Sequence, residues 1–138
     1  MRVRALIFDD DEVIRLLLRE ICERHGWDVI TYPNPGVCPL NAEEHCPCRP
    51  EEVCADVIIS DLEMPILKGL DFVESMFRKG CHCAHIALVS GSCGSEEVSR
   101  AATLGCKVIP KPFKVQEIED WLAEVEHSLA ADRCLHNW

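Results

Sequence analysis

Charged side chains stand directly after three apolar runs of the chain. In sequence order, Asp9, Asp10 and Asp11 follow Val3–Phe8, Asp61 follows Val57–Ser60, and Lys111 follows Val108–Pro110. A parallel sheet gathers the carboxyl ends of its strands at one edge, where α/β proteins place their sites. Carboxylates crowded at such an edge need a cation, and their oxygen atoms suit Mg²⁺ or Mn²⁺. The pattern therefore predicts an acidic, metal-binding pocket that a lysine faces.

The elements that must position these residues alternate between strand and helix. Short, mainly apolar runs predict five strands, at Val3–Phe8, Asp28–Thr31, Val57–Ser60, Ile86–Ser90 and Cys106–Ile109. Apolar residues at helical spacing predict four helices, within 13–21, 70–77, 96–104 and 118–129. Apolar strands separated by helices indicate an α/β fold with a doubly wound parallel sheet. We expect one domain over residues 1–138, with its core between about residues 3 and 130.

One segment, residues 33–54, interrupts the alternation. It stands where a second crossover helix belongs, but it contains five prolines, which the interior of a regular helix does not tolerate. We expect this Pro/Cys-rich insertion to replace or distort the second helix. Only short helical turns fit the segment, at Asn41–His45 and Pro50–Cys54.

Composition excludes several classes of protein. The net charge of −10 argues against direct nucleic-acid binding, which needs a basic face. No apolar run reaches the roughly 18 residues of a membrane span. The first residues lack the apolar stretch and cleavage site of a signal peptide, so we expect a cytoplasmic protein. Its ten cysteines are then expected to be reduced.

The order of these positions resembles the receiver domain of two-component response regulators, including the chemotaxis regulators. The matching pieces are Leu6–Asp11, Ile59–Pro65 with Gly69, Leu88–Gly91 and Pro110–Phe113. Each piece alone is weak, but four in the right order at successive strand ends make a specific signal. The resemblance runs from about Arg4 to about Leu129. It implies a flavodoxin-like receiver fold with strand order 2-1-3-4-5 and a cis bond between Lys111 and Pro112.

The resemblance also implies a role for each site residue. Asp61 matches the phosphoacceptor, because a carboxylate can attack phosphorus and form an acyl phosphate. The Mg²⁺ ligands match Asp10, an oxygen of Asp61 and the backbone carbonyl of Glu63, with Asp9 as the second member of the acidic pair. The groups that contact the phosphoryl group match Lys111 and Ser90.

The implied function is a phosphorylatable switch rather than an enzyme that acts on other molecules. A sensor histidine kinase or phosphotransfer protein would donate the phosphoryl group, and the new charge would change the contact with a downstream protein target. Members of the family commonly dimerise through the face formed by the fourth helix, fifth strand and fifth helix, so the resemblance also implies a possible homodimer. Val108 departs from the family pattern, because an aromatic residue is usual three positions before the lysine. Lys68 stands where the family often has Asp.

A second interpretation comes from another class of protein. Asp9 and Asp11 also fit the Asp-x-Asp motif of small phosphohydrolases resembling the haloacid dehalogenase superfamily, as nucleophile and acid/base. Glu12-Val13 then stands where that family has a Gly-Thr-like pair, no acidic pair follows a later strand, and Asp61 has no role.

The cysteines leave three interpretations open, of which one is a disulfide within the insertion. The simplest is free thiols packed as small apolar groups. The third is a Zn²⁺ or Fe–S site, or a redox role, that would add a second input to the receiver. Its candidate residues are Cys38, His45, Cys46, Cys48 and Cys54 in the insertion, and Cys81, His82, Cys83 and His85 before the fourth strand.

Overall fold

The computed structural model describes residues 2–34, 45, 46, 48, 49, 52–64, 68–129, 134 and 135. Their strands are β1 (Arg4–Phe8), β2 (Asp28–Tyr32), β3 (Glu52–Val53), β4 (Val57–Asp61), β5 (His85–Ser90), β6 (Lys107–Pro110) and β7 (Cys134–Leu135). The helices of this part of the chain are α1 (Glu12–Arg24), α2 (Gly69–Arg78), α3 (Ser95–Thr103) and α4 (Val115–Ser128).

Five of these strands form one parallel sheet in the order β2-β1-β4-β5-β6. Without the short strand β3, this is the order 2-1-3-4-5, so the predicted flavodoxin-like fold is confirmed. The order follows from burial, because the three central strands are the most apolar and are covered on both faces.

Alternate residues of the central strands belong to two separate cores. On one face, Leu6, Ile58 and Leu88 pack with apolar residues of α2 and α3. On the other face, Ile7, Ile59 and Val89 pack with apolar residues of α1 and α4. Because side chains alternate along a strand with a period of two, each strand has only one register that fills both cores. The packing therefore fixes where each strand ends.

Aromatic contacts hold the end of β1. The ring of Phe8 lies 4.7 Å from the ring of Phe72 in α2, in an edge-to-face arrangement. It also stacks on Tyr32 of β2, with ring centroids 5.5 Å apart. Phe8 is fully buried, so the residue that follows it, Asp9, has a fixed position at the edge of the sheet.

The predicted helical turn at Pro50–Cys54 is wrong in the part that the structure describes. Glu52 and Val53 form β3 rather than a helical turn, and they pair in parallel with Cys134 and Leu135 of β7. The reason is a partner about 80 residues away in sequence, which a local pattern does not reveal. The predicted turn at Asn41–His45 lies outside the described residues, apart from His45, and so does most of the segment predicted to replace the second helix.

None of the helices in the described ranges is both long and apolar enough to cross a membrane.

Glycine is required where α2 begins. The Gly69 amide donates to the carbonyl oxygen of Leu62 at 3.0 Å, which draws the start of α2 against the end of β4. A Cβ atom at position 69 would lie 2.5 Å from the backbone carbonyl oxygen of Asp61. Backbone atoms cannot rotate away as a flexible side chain can, so any larger residue must displace the helix or the strand end.

We expect Gly69→Ala to lower the free energy of unfolding by roughly 1–3 kcal/mol, because it overpacks this contact. The measurement is urea denaturation followed by circular dichroism. Gly91→Ala is the matched control, since a Cβ atom there meets nothing within 4 Å. Equal stability of the Gly69→Ala and Gly91→Ala variants would show that the close approach does not constrain the fold.

Candidate functional site

Three charged side chains meet at the carboxyl edge of the sheet. Asp9 follows β1, Asp61 ends β4 and Lys111 follows β6. The Lys111 Nζ atom lies 3.2 Å from Asp9 Oδ2 and 3.5 Å from Asp61 Oδ1. Asp9 is fully buried and Asp61 is 8% exposed, so one ammonium group serves two buried carboxylates. The geometry is the one that the spacing along the sequence predicts.

Backbone contacts hold Asp9 in place. Its Oδ1 atom accepts a hydrogen bond from the Asp11 amide at 2.9 Å. Its backbone carbonyl accepts one from Arg15 Nη1 at 2.8 Å. Arg15 was not among the predicted site residues, because its only signal in the sequence is a cation in the first turns of the helix that follows the acidic residues. Asp11 itself is the N-cap of α1, and its Oδ1 accepts the amide of Val13 at 2.9 Å.

Asp61 is held by the turn that follows β4. The Glu63 amide donates to Asp61 Oδ1 at 3.3 Å. The Glu63 side chain is exposed and lies 4.0 Å from the Lys68 ammonium group, so only its backbone belongs to the site. The turn thus orients one carboxylate oxygen of Asp61 and leaves Oδ2 without a hydrogen bond to this amide.

Ser90 ends β5, the strand between those that carry Asp61 and Lys111. Its hydroxyl donates to the carbonyl oxygen of Ser92 at 2.8 Å and accepts from the Ser92 amide at 3.1 Å. The Lys111 amide donates to the Ser90 carbonyl at 2.7 Å, and the Lys111–Pro112 bond is cis, as the resemblance implies. The Ser90 hydroxyl is therefore at the right edge but bonded within its own turn.

Burial sets the charge state of this pocket. Removal from water raises the pKa of Asp9, although the Asp11 amide and Lys111 oppose the rise. Removal from water, and then repulsion from Asp9, raises the pKa of Asp61. Burial alone would lower the pKa of Lys111, but the two carboxylates outweigh it and raise that pKa. Negative charge on Asp9 and Asp61 is therefore held at a cost, because burial removes the water that would solvate it.

The carboxylates fit a divalent cation. Asp9, Asp10 and Asp61 each offer an oxygen atom, and the three oxygens lie within 4.8 Å of one another. Asp10 is exposed, so an ion could reach the group from solvent. Oxygen ligands with several negative charges suit Mg²⁺, which keeps part of its water shell when it binds.

The cysteine candidates are only partly brought together. Cys46, Cys48 and Cys54 form a cluster in which the sulfur atoms lie within 4.8 Å of one another. His45 is exposed and is not part of this cluster, and Cys38 lies outside the described residues.

The second cysteine group lies beside this cluster without completing a site of its own. Cys81 Sγ accepts a hydrogen bond from the Cys83 amide at 3.4 Å, and the Cys83 thiol is directed at the carbonyl oxygen of His85 at 3.8 Å. Burial raises the pKa of the Cys81 and Cys83 thiols. His82 instead contacts the carbonyl oxygen of Glu52 through Nδ1 at 3.0 Å.

Comparison with known sequences identifies one family. The family profile of the response regulator receiver domain matches residues 5–123. Among curated proteins, the chain is 32% identical over 113 residues to protein-glutamate methylesterase/protein-glutamine glutaminase 3 of Burkholderia thailandensis, covering 80% of this chain and 29% of that protein. It is 33% identical over 109 residues to the Methylobacillus flagellatus enzyme of the same name, covering 76% and 28%. The chain thus spans less than a third of the length of these relatives.

Solved structures show the same fold. The non-phosphorylated HemR receiver domain of Leptospira biflexa is 27% identical, with a TM-score of 0.75, and the match covers 93% of this chain and 96% of that one. The Vibrio cholerae chemotaxis protein CheY4 is 23% identical, with a TM-score of 0.72, covering 91% and 99%. Receiver domains are phosphorylatable switches of two-component and chemotaxis signalling, and in general they use Mg²⁺ at the phosphorylation site. With the profile match over most of its length, the chain belongs to the response regulator receiver family.

Proposed function

We propose that Asp61 accepts a phosphoryl group from the phosphohistidine of a sensor histidine kinase or phosphotransfer protein. The observation that carries the proposal is the place of the Asp61 carboxylate. It lies 3.5 Å from the Lys111 ammonium group, and its oxygen is within 4.8 Å of those of Asp9 and Asp10. We also propose that residues 1–138 act as one receiver domain and that the exchange takes place in the cytoplasm.

The transfer exchanges one bond to phosphorus for another. An oxygen of Asp61 attacks the phosphorus, the N–P bond of the phosphohistidine breaks, and the imidazole leaves with the bonding electrons and takes up a proton. The product is an acyl phosphate. The phosphorylated Asp61 side chain carries more negative charge than the free carboxylate. Lys111 is positioned to contact the phosphoryl oxygens that bear this charge.

A bound Mg²⁺ would be held by Asp9, Asp10, Asp61 and the backbone carbonyl of Glu63. Such an ion supplies positive charge that offsets the repulsion between an anionic nucleophile and an anionic donor. The residues fit the ion because three carboxylates face one ammonium group, and burial makes the negative charges of Asp9 and Asp61 costly to hold.

The new charge then changes the turn after β5. We propose that the Ser90 hydroxyl leaves Ser92 and donates to a phosphate oxygen, which frees the turn to move. Val108, three residues before Lys111, lies half-buried beside a groove of about 390 Å³ between β6 and α4. Three acidic side chains and one cation line this groove, namely Glu117, Asp120, Glu124 and Lys107, so its lining is acidic on balance. A downstream protein target that docks here would carry basic side chains.

The phosphohydrolase alternative is not favoured. Its acid/base would be Asp11, but that carboxylate is the N-cap of α1 and bonds to the amides of Val13 and Ile14. The family match is to the receiver domain, and the alternative leaves Asp61 without a role.

Phosphorylation of Asp61 can be tested directly. Incubation with Mg²⁺ and acetyl phosphate, followed by borohydride trapping and peptide mass spectrometry, should place the label at Asp61. The Asp61→Asn variant, which keeps the shape and loses the nucleophile, should lose at least about 99% of the label, since nucleophile removal typically costs two orders of magnitude or more. Lys111→Arg should keep the charge but label more slowly, because the guanidinium group has a different shape.

The control for this experiment is Glu124→Gln, an exposed carboxylate on α4 that should label as the wild type does. Label at Asp9, or steady release of phosphate from phosphomonoesters that persists in Asp61→Asn, would contradict the proposal.

The raised pKa of Asp61 predicts that removing its charge stabilises the folded protein. A carboxyl group whose folded pKa is raised stabilises the fold when protonated, and this contribution is lost as the pH rises through the folded pKa. At neutral pH the negative charge of Asp61 therefore destabilises the folded state relative to the unfolded chain. In buffer with a chelator, Asp61→Asn should melt higher than wild type by about 3–5 °C, the shift expected for roughly 1 kcal/mol.

Added Mg²⁺ should raise the melting temperature of the wild type and should raise that of Asp61→Asn much less, because the variant has lost a ligand and a charge. Glu124→Gln should follow the wild type in both buffers. An Asp61→Asn variant that melts below wild type in chelator would show that Lys111 already compensates the negative charge of the carboxylates.

A further inference from the structure

A group of thiols lies at the opposite end of β4 from the carboxylates. Cys54 precedes β4 by three residues, whereas Asp61 is its last residue. The five residues of β4 alone span roughly 16 Å, so the thiols are well separated from the carboxylates. The Cys54 Sγ atom lies 2.9 Å from that of Cys48 and 3.5 Å from that of Cys46. The phosphorylation chemistry proposed for this protein has no use for these groups.

Backbone contacts place the thiols on separate parts of the fold. The Cys46 amide donates to the carbonyl oxygen of Lys79, just after α2, at 2.7 Å. The carbonyl oxygen of Cys54 accepts a hydrogen bond from Arg4 Nη1 of β1 at 2.9 Å. The cluster therefore joins the insertion to the amino-terminal edge of the sheet and to the end of α2.

Cys81 is the described thiol best placed to be a fourth member. It is two residues from Lys79, whose carbonyl holds Cys46, and its own amide bonds to the carbonyl oxygen of Met76 at 3.1 Å. Cys46, Cys48 and Cys81 all pack against the core cluster that contains Cys54. The Cys81 sulfur is not within 4.8 Å of all three clustered sulfurs, so its side chain must move toward them to become a ligand.

We propose that Cys46, Cys48 and Cys54, with Cys81 as the fourth ligand, bind a single thiophilic metal ion such as Zn²⁺. Around tetrahedral zinc, with bonds of about 2.3 Å to sulfur, neighbouring sulfur atoms lie about 3.8 Å apart. The three clustered sulfurs, within 4.8 Å of one another, need only small shifts to meet that geometry. Their closeness leaves room for one ion between them rather than for a larger cluster.

The geometry favours a metal over a disulfide. The 2.9 Å between the sulfurs of Cys48 and Cys54 lies between the about 2.05 Å of a disulfide and the about 3.8 Å of two zinc ligands, so the third sulfur decides between them. A disulfide would use two of the sulfurs and leave the third beside them without a partner. Metal binding uses all of them, and each coordinating thiol releases its proton to solvent as its sulfur binds the ion.

The ion would act as a structural clamp. The insertion contains too many prolines for a regular helix that could cover this edge by apolar packing, whereas metal–sulfur bonds need no regular secondary structure. Because the metal binds the folded state, its loss should lower the melting temperature. Labelling of Asp61 should persist at low temperature, since the two sites lie at opposite ends of β4.

The test measures the metal content of protein purified without added chelators. Wild-type protein purified anaerobically from zinc-supplemented cells should contain about one zinc per chain, and Cys48→Ser less than about a tenth. Cys93→Ser is the matched control: this half-buried cysteine lies just after β5, at the carboxyl edge, and should keep the wild-type zinc content.

Cobalt binding gives a spectroscopic signature of the site in the wild-type protein itself, and variants then test single ligands. Titration of metal-free wild-type protein with Co²⁺ should produce sulfur-to-cobalt charge-transfer absorption and the intense visible bands of a tetrahedral site. Cys81→Ser should weaken Co²⁺ binding by at least about tenfold while Cys93→Ser leaves it unchanged.

Three results would overturn the proposal. They are wild-type protein without zinc or charge-transfer absorption, equal zinc in Cys48→Ser and wild type, and a Cys48–Cys54 disulfide in protein alkylated at the moment of cell lysis. Unchanged Co²⁺ affinity in Cys81→Ser would remove Cys81 from the ligand set.

Discussion

The structure depends on an imbalance of charge at one edge of the sheet. Asp9, Asp10 and Asp61 bring three carboxylates together, and Lys111 is the cation that contacts two of them. Burial makes each charge more costly and raises the pKa of both Asp9 and Asp61. A fold that concentrates charge in this way has an edge that gains from binding a cation. The same excess makes Asp61 a site at which a change of charge alters the energy of its surroundings.

The register of two strands is what keeps the carboxylates together. In the pairing of β1 with β4, Phe8 lies opposite Ser60, so the next residues, Asp9 and Asp61, stand side by side. Asp9 is two residues beyond Ile7, and Asp61 is two beyond Ile59, so both belong to the side of the sheet that α1 and α4 cover. A slip of one residue would move one carboxylate to the opposite side. The apolar cores therefore fix the chemistry, because they specify the register.

The sequence was sufficient for the features that local patterns encode. The five main strands, the four described helices and the meeting of Asp9, Asp61 and Lys111 all follow from apolar periodicity and from what stands at strand ends. It was not sufficient for β3, whose partner β7 lies far away in the chain. Nor did it reveal Arg15, which acts through the carbonyl of Asp9. The thiol cluster was predicted in part, because the sequence shows which residues are cysteines but not which of their sulfur atoms lie close together.

The two ends of β4 differ in what they allow to move. At its amino-terminal end, backbone bonds and the thiol cluster tie the strand to β1, α2 and the insertion. Its body is buried on both faces. Under the proposed phosphorylation of Asp61, we expect motion in the turns of the carboxyl edge, where Ser92 is the partner of the Ser90 hydroxyl among the described residues. Val108 carries no ring that could follow the hydroxyl, so the turn itself has to carry the change toward the acidic groove beside α4. We therefore propose that output in this protein depends on backbone rearrangement after β5 more than on the rotation of a side chain.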